Sequence, residues 1–232
     1  MKLLLIAGHG GGDPGACASG YKEADLTREL ANMLVPKLSQ YAEVELFDTS
    51  KDMYTYLKNG GSCNFKNYGY VFELHFNAGA NDANGNGKTT GTEILIHTTE
   101  TGSKVEQEIV SRISALGFHN RGVKRRSDLR NMNVCKKNYG VSYALLETCF
   151  IDDVDDMKLY QSTKESVADA IANGIATGFG LAQKEPMSAA EAIAVLEKAG
   201  IIGEPEKWYA GTWTDDDFKW LLRKMGEYVK RA

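Results

Sequence analysis

The chain has 232 residues, 43% of them apolar and 25% charged, which excludes disordered, collagenous and membrane-embedded classes and leaves one full domain with room for a small appendage. Its 27 Lys and Arg against 31 Asp and Glu give a net charge of −4 with no long run of one sign, so nucleic acid is not an expected partner. The four cysteines, Cys17, Cys63, Cys135 and Cys149, have neither CxxC spacing nor the density of a disulfide scaffold and read as free thiols.

Met1 to Ala7 is too short for the apolar region of a signal peptide, and no stretch is long enough to insert into a membrane. The expectation is a protein made in the cytoplasm without a leader of its own. Residues 2 to 7 form a short apolar run ended by a glycine-rich turn, the pattern of a buried strand feeding a helix. From Tyr21 to Leu38 apolar residues recur at helical spacing, which predicts a helix with one buried face. A strand is expected at Val44 to Phe47, a helix from Asp52 to about Leu57, and a strand over Tyr70 to Phe76. A polar, Asn- and Gly-rich loop from Asn77 to Thr90 is longer than most connections in a compact domain, and such loops are often functional.

Beyond it the expected elements are a strand at Thr92 to His97, a helix at Ser103 to Leu116, a strand at Tyr143 to Glu147 and a long amphipathic helix from Val154 to about Leu181. This alternation predicts an α/β domain, a twisted and mostly parallel sheet flanked by helices, over residues 1 to 182. Periodicity stops around residues 183 to 187, where Pro186 halts a helix, so a linker is expected there. Residues 188 to 232 form a distinct unit with helical patterns at Ala189 to Ala199 and Asp215 to Val229 and all three tryptophans, Trp208, Trp213 and Trp220. At this size an all-α module is hard to stabilise alone, so docking, self-association or a bound partner is expected of it.

Gly8-His9-Gly10-Gly11-Gly12-Asp13-Pro14-Gly15-Ala16 falls at the carboxyl end of the first strand, where open α/β sheets place their sites. The stretch lacks the lysine and spacing of a phosphate-binding loop. His9 alone would be a surface histidine in a tight turn. A hydrolytic zinc site needs three N or O donors and one open position, and Glu23 and His75 can complete that set. Singly, Glu23 reads as a carboxylate at a helix N-terminus and His75 as a satisfied core histidine. Glu147 closes an apolar strand and is a costly charge there without a partner. Glu73 shares a strand face with His75 and could be an alternative ligand or hold that histidine in place. His97 and His119 have no motif around them and read as structural or exposed.

Taken in order, these motifs resemble the zinc-dependent N-acetylmuramoyl-L-alanine amidases. The resemblance rests on Gly8 to Ala16, Glu23, His75-Phe76-Asn77-Ala78 and Leu145-Leu146-Glu147-Thr148-Cys149-Phe150, and it spans residues 1 to 182. This chain departs from the family pattern at Glu73, where serine is usual, and at Ser142, Cys149 and Asp153, which stand for proline, glycine and asparagine. The resemblance implies one Zn2+ held by His9, Glu23 and His75, with Glu147 as the catalytic carboxylate. Asp13 and Asn77 beside the ligands are candidates for orienting them or touching substrate. The implied reaction is cleavage of the amide between N-acetylmuramic acid and L-alanine in peptidoglycan. A phage or prophage endolysin is the expected context, and an autolysin or spore-lysis amidase, a zinc carboxypeptidase on the stem peptide and a non-catalytic wall-binding protein are the alternatives. The last segment more loosely resembles helical modules of cell-wall enzymes, with Trp208 and Trp213 either stacking on sugars or filling a core.

Overall fold

A computed structural model describes residues 1–185 and 187–230; Pro186, the expected helix stop, lies outside the described residues. Two compact units divide at Lys184 and Glu185.

The first unit opens with β1 (Lys2–Ala7), whose residues after Lys2 are all buried. A two-residue hairpin follows, β2 (Cys17–Ala18) against β3 (Tyr21–Lys22), and then α1 (Glu23–Ser39). The sequence reading started this helix at Tyr21. Ser19 and Gly20 have φ of 52° and 81°, the left-handed pair of a tight hairpin turn, and this commits Tyr21 and Lys22 to strand pairing. Next come β4 (Glu43–Leu46) and α2 (Met53–Lys58), which Asp52 caps by accepting from the Tyr54 and Thr55 amides. They are followed by β5 (Tyr70–Asn77), β6 (Thr92–His97), α3 (Lys104–Ser114), β7 (Asn120–Arg126), α4 (Arg130–Asn133), β8 (Tyr143–Phe150) and α5 (Val154–Phe179).

Apart from the β2–β3 hairpin, the strands form one six-stranded sheet in the order β4-β1-β5-β8-β6-β7. β4, β1, β5 and β8 are mutually parallel, β6 is antiparallel to β8, and β7 is parallel to β6. Because side chains alternate along a strand, Leu3, Leu5, Phe72, Leu74, Ile94 and Leu146 face α1, α3 and α5. Leu4, Ile6, Val71, Leu95 and Leu145 face the other way and pack with Met53 and Leu57 of α2 and Met132 of α4.

The β2–β3 hairpin, a short helix at Pro205–Tyr209, β7 and α4 were not legible in the sequence, the last two for clear reasons. β7 reads Asn-Arg-Gly-Val-Lys-Arg-Arg, a charged edge strand in which Val123 alone packs on the core, so its hydrophobic signal is nearly absent. The four-residue α4, which continues as a π-helical turn over Val134–Asn138, is too short to show a period. Gln183 and Lys184, placed in the linker from sequence, are tied to the first unit: Gln183 donates to the Gln40 side chain, and the Lys184 amide donates to the Gln40 carbonyl at 2.6 Å.

Among its described residues the second unit has three helices, α6 (Ala189–Lys198), α7 (Pro205–Tyr209) and α8 (Asp215–Val229). Reciprocal capping boxes, Ser188 with Glu191 and Thr214 with Asp217, start α6 and α8. Its core is Ile201, Ile202 and Leu221, with Ile193, Leu196 and Trp208 packed around them. Among the described residues no helix is long and apolar enough to cross a membrane.

Candidate active site

His9 lies two residues past the end of β1, after Gly8, and has φ of 61°, a left-handed backbone that non-glycine residues adopt at a cost. Arg28 of α1 holds this conformation, donating to the carbonyls of Gly8 at 2.8 Å and His9 at 2.6 Å. A Cβ on Gly10 would lie 1.8 Å from the Arg28 guanidinium, so only glycine fits beside this clamp. The same holds at Gly8, where a Cβ would come 2.4 Å from the His75 ring.

Glu23 occupies the first position of α1 and is buried. Its carboxylate is shared between the two histidines: Oε2 lies 3.1 Å from His9 Nε2, and Oε1 lies 2.9 Å from His75 Nδ1. The amides of Ala16 and Phe76 also donate to it, at 3.0 and 2.9 Å. Burial opposes its charge, but the two histidines outweigh burial and hold its carboxyl well below the usual range. The effect on the imidazoles is reciprocal. Burial disfavours their charge, while Glu23 with Glu73 raises His75, and Glu23 with Asp13 raises His9.

The sheet register brings in the fourth residue. On β5 and β8 His75 stands directly opposite Glu147, and on β8 and β6 Glu147 stands opposite Glu93, so three titratable side chains line one row. Glu147 Oε2 is buried without a hydrogen-bond partner. Burial pushes the Glu147 carboxyl up to about 7; His75 pulls it down, and Glu23 and Glu93 push it further up. A cavity of about 210 Å³ adjoins the site, with His9, Asp13, Glu73, His75 and Asn131 in its wall.

His9, Glu23 and His75 each offer a donor atom, and these atoms all lie within 4.8 Å of one another. Two imidazole nitrogens and one carboxylate oxygen fit zinc by donor type, and the partnerless Glu147 oxygen beside them fits a group kept ready to take a proton. Glu73 is outside this donor group.

The remaining sequence candidates divide. Asp13 Oδ2 lies 2.8 Å from His9 Nδ1, the nitrogen turned away from Glu23. Asn77 does not reach a histidine: its amide donates to Glu93 at 3.2 Å, and its oxygen accepts the Ala78 amide. His97 is buried between Thr99 and Asn133, and His119 is exposed. Sequence reasoning missed Glu93, a carboxylate inside the apolar run Thr92 to Ile96 and so the same signal that singled out Glu147. Glu93 is buried and paired with Arg121 and Lys124 of β7. In the second unit Trp208 and Trp213 stack with ring centroids 6.1 Å apart. Trp208 is packed against the small core, while Trp213 is 45% exposed.

Residues 3–177 match the family model described as N-acetylmuramoyl-L-alanine amidase. Over 190 residues the chain is 30% identical to an autolysin of Staphylococcus aureus, covering 75% of this chain but only 38% of that protein. Over 199 residues it is 30% identical to the endolysin of Bacillus phage SPP1, covering 81% of this chain and 70% of that one. Among solved structures, the N-acetylmuramoyl-L-alanine amidase AmiC2 of Nostoc punctiforme superposes with a TM-score of 0.63 at 18% identity, over 78% of this chain and 97% of its own, a likeness of fold.

Proposed function

From the premise that this chain belongs to the N-acetylmuramoyl-L-alanine amidase family, we propose that it is a zinc-dependent peptidoglycan hydrolase cutting the amide between N-acetylmuramic acid and the L-alanine of the stem peptide. The observation that carries the reading is the convergence of His9, Glu23 and His75 beside Glu147, whose Oε2 is buried without a partner. Zinc bound by His9 Nε2, Glu23 and His75 Nδ1 would supply a Lewis acid that polarises a carbonyl and acidifies water.

The chain's own residues do the rest. Glu147 takes a proton from the attacking water as its oxygen bonds to the lactyl carbonyl carbon, and it delivers a proton to the alanine nitrogen as the C–N bond breaks. Burial suits it to both steps, because raising a carboxyl above the usual carboxylate range makes it a better proton acceptor that can then give the proton back. Asp13 holds His9 through Nδ1, leaving Nε2 for the ion. The products are a lactyl carboxylate and a stem peptide with a free alanine amine.

In the second unit we assign wall contact to Trp213, whose exposed ring can stack on a sugar, while Trp208 serves the small core. The enzyme acts on the cell wall, in an endolysin or autolysin setting.

Mass spectrometry of purified peptidoglycan after digestion tests the reading. Chelator-sensitive release of intact stem peptides beginning with a free alanine amine is the expected result. Cleavage within the peptide would replace the amidase by a carboxypeptidase, and binding without release would make the chain a wall-binding protein.

A further inference from the structure

We propose that Glu73 is the residue that positions His75 for its metal, accepting the Nε2 proton so that Nδ1 is the nitrogen presented to the ion. The inference rests on the metal-site reading above. It takes up a position where this chain carries a carboxylate in place of the serine usual in the family.

Glu73 and His75 are two apart on β5 and therefore on one face of the strand. Glu73 is 3% exposed. Its Oε1 lies 3.3 Å from His75 Nε2, a nitrogen that is buried and has no well-formed hydrogen bond to any group. On its other side Glu73 is fixed by Asn131 of α4, whose Nδ2 donates to Oε1 at 3.0 Å and to Oε2 at 3.3 Å. Asn131 is itself buried. The carboxylate is thus held at a defined place, and the open end of its reach is His75.

The charges make the same point. Among the described residues, His75 is the one ion-pair partner of Glu73, and no lysine or arginine neutralises it. Glu23, Glu73 and Glu147 gather around two imidazoles. A buried carboxylate without a compensating cation is expensive, and a divalent ion on the far side of the His75 ring offsets that cost through the imidazole. A neutral imidazole has one N–H and one lone pair, so a carboxylate on Nε2 leaves the lone pair on Nδ1. Ligating histidines commonly give their second N–H to a carboxylate.

His9 shows the complementary arrangement, with Asp13 on Nδ1 and Nε2 turned inward. Each histidine therefore has its own carboxylate. The two differ in setting: the Asp13 side chain is 48% exposed and that of Glu73 is 4% exposed, so solvent weakens the first and not the second.

The test uses the full chain and zinc itself. Zinc affinity is measured by competition with a chromophoric chelator for the parent, Glu73→Gln, Glu73→Ser and Asn131→Ala, with circular dichroism in chelator to confirm folding. In parallel, imidazole nitrogen chemical shifts of the zinc-loaded parent report the His75 tautomer, a readout that needs no variant. The expected results are one zinc per chain in the parent, the Nε2–H tautomer at His75, an affinity loss of roughly 10- to 100-fold in both Glu73 variants, and a smaller loss in Asn131→Ala. Folded Glu73 variants that bind zinc as tightly as the parent, or an Nδ1–H tautomer, would overturn the inference while leaving the metal site standing. A parent that takes up no zinc would overturn both.

Discussion

Two places in the first unit gather histidine or carboxylate side chains closely enough to suggest a metal, and they are built on opposite logic. One is His9, Glu23 and His75; the other is Asp82, Asp153 and Asp155, whose oxygens likewise fall within 4.8 Å of one another. In the second cluster the chain itself takes up most of the oxygens, Asp82 Oδ2 excepted. Asp153 accepts the amides of Thr90, Asp155 and Asp156, and Asp155 accepts those of Asn86 and Gly87. Neighbouring Asp152 accepts from Gly79 and Asn81, and Asp156 from Gly91 and Phe150. These aspartates fasten the long loop after β5 to the start of α5. In the first cluster the carboxylates face imidazoles, and donor atoms remain for a ligand. Proximity of carboxylates therefore does not mark a site; the two imidazoles set around a single carboxylate do.

The sharpest test of this contrast is at Glu147. Glu147→Gln keeps shape and removes the proton acceptor, so amide cleavage should fall by roughly 10²- to 10⁴-fold while zinc content stays that of the parent. Digestion of peptidoglycan followed by mass spectrometry, with metal analysis on the same sample, checks it. Retained activity would remove Glu147 from the chemistry.

Metal titration of thermal unfolding compares the two clusters directly. Zinc at about 100 times its dissociation constant should stabilise the parent by about 2.7 kcal/mol, and His9→Ala should abolish the shift. Calcium should give no shift. A calcium shift that Asp82→Asn removes would make the aspartate cluster a second metal site, and Asp82 Oδ2, which lacks a partner, would be its natural ligand.

Much of this contrast was legible in the sequence, for physical reasons that differ by residue. His9 and Glu23 each have a bland role when taken singly, and they became legible through their ordered combination with His75 and with Glu147, a charge that closes an apolar strand. The strand containing His75 could be read by its apolar run, which placed the histidine at the sheet's carboxyl edge. Asn131 could not be read, because it sits on a single turn of helix with no period, yet it fixes Glu73. β7 was invisible for the opposite reason: Arg121 and Lys124 look like a solvated surface until Glu93 is found beneath them. Asn77 shares the alternation of His75, but the register of β5 against β8 shifts between the two, and the Asn77 amide is directed to Glu93 instead of a histidine.

If the aspartates are structural, removing one should cost stability and spare the metal. Asp153 is fully buried and caps α5. Asp153→Ala loses that cap and strands the Thr90 amide, for an expected loss of about 2 kcal/mol in denaturant unfolding. Zinc affinity should be unchanged. A loss of zinc binding with the fold intact would tie the loop to the metal site and erase the distinction drawn above.

The smallest expected effect is one of pH, and it comes from Asp156. Burial pushes its carboxyl from 3.8 up to about 6, against the opposing pull of the Gly91 and Phe150 amides. A carboxyl that holds its proton more tightly when folded contributes stability that is fully present below its unfolded pKa and is lost as pH rises through the folded one. Its share of the stability should therefore decline between about pH 4 and pH 6 and level off above, opposite in sign to the contribution of Asp152, whose carboxyl three loop amides hold below the usual range. Asp156→Asn cannot titrate, so the difference in unfolding free energy between parent and variant should slope across that window and be flat above it. A flat difference from pH 4 upward would mean that the two backbone amides outweigh burial and that Asp156 is ionised throughout, an anion held by the loop as firmly as its neighbours.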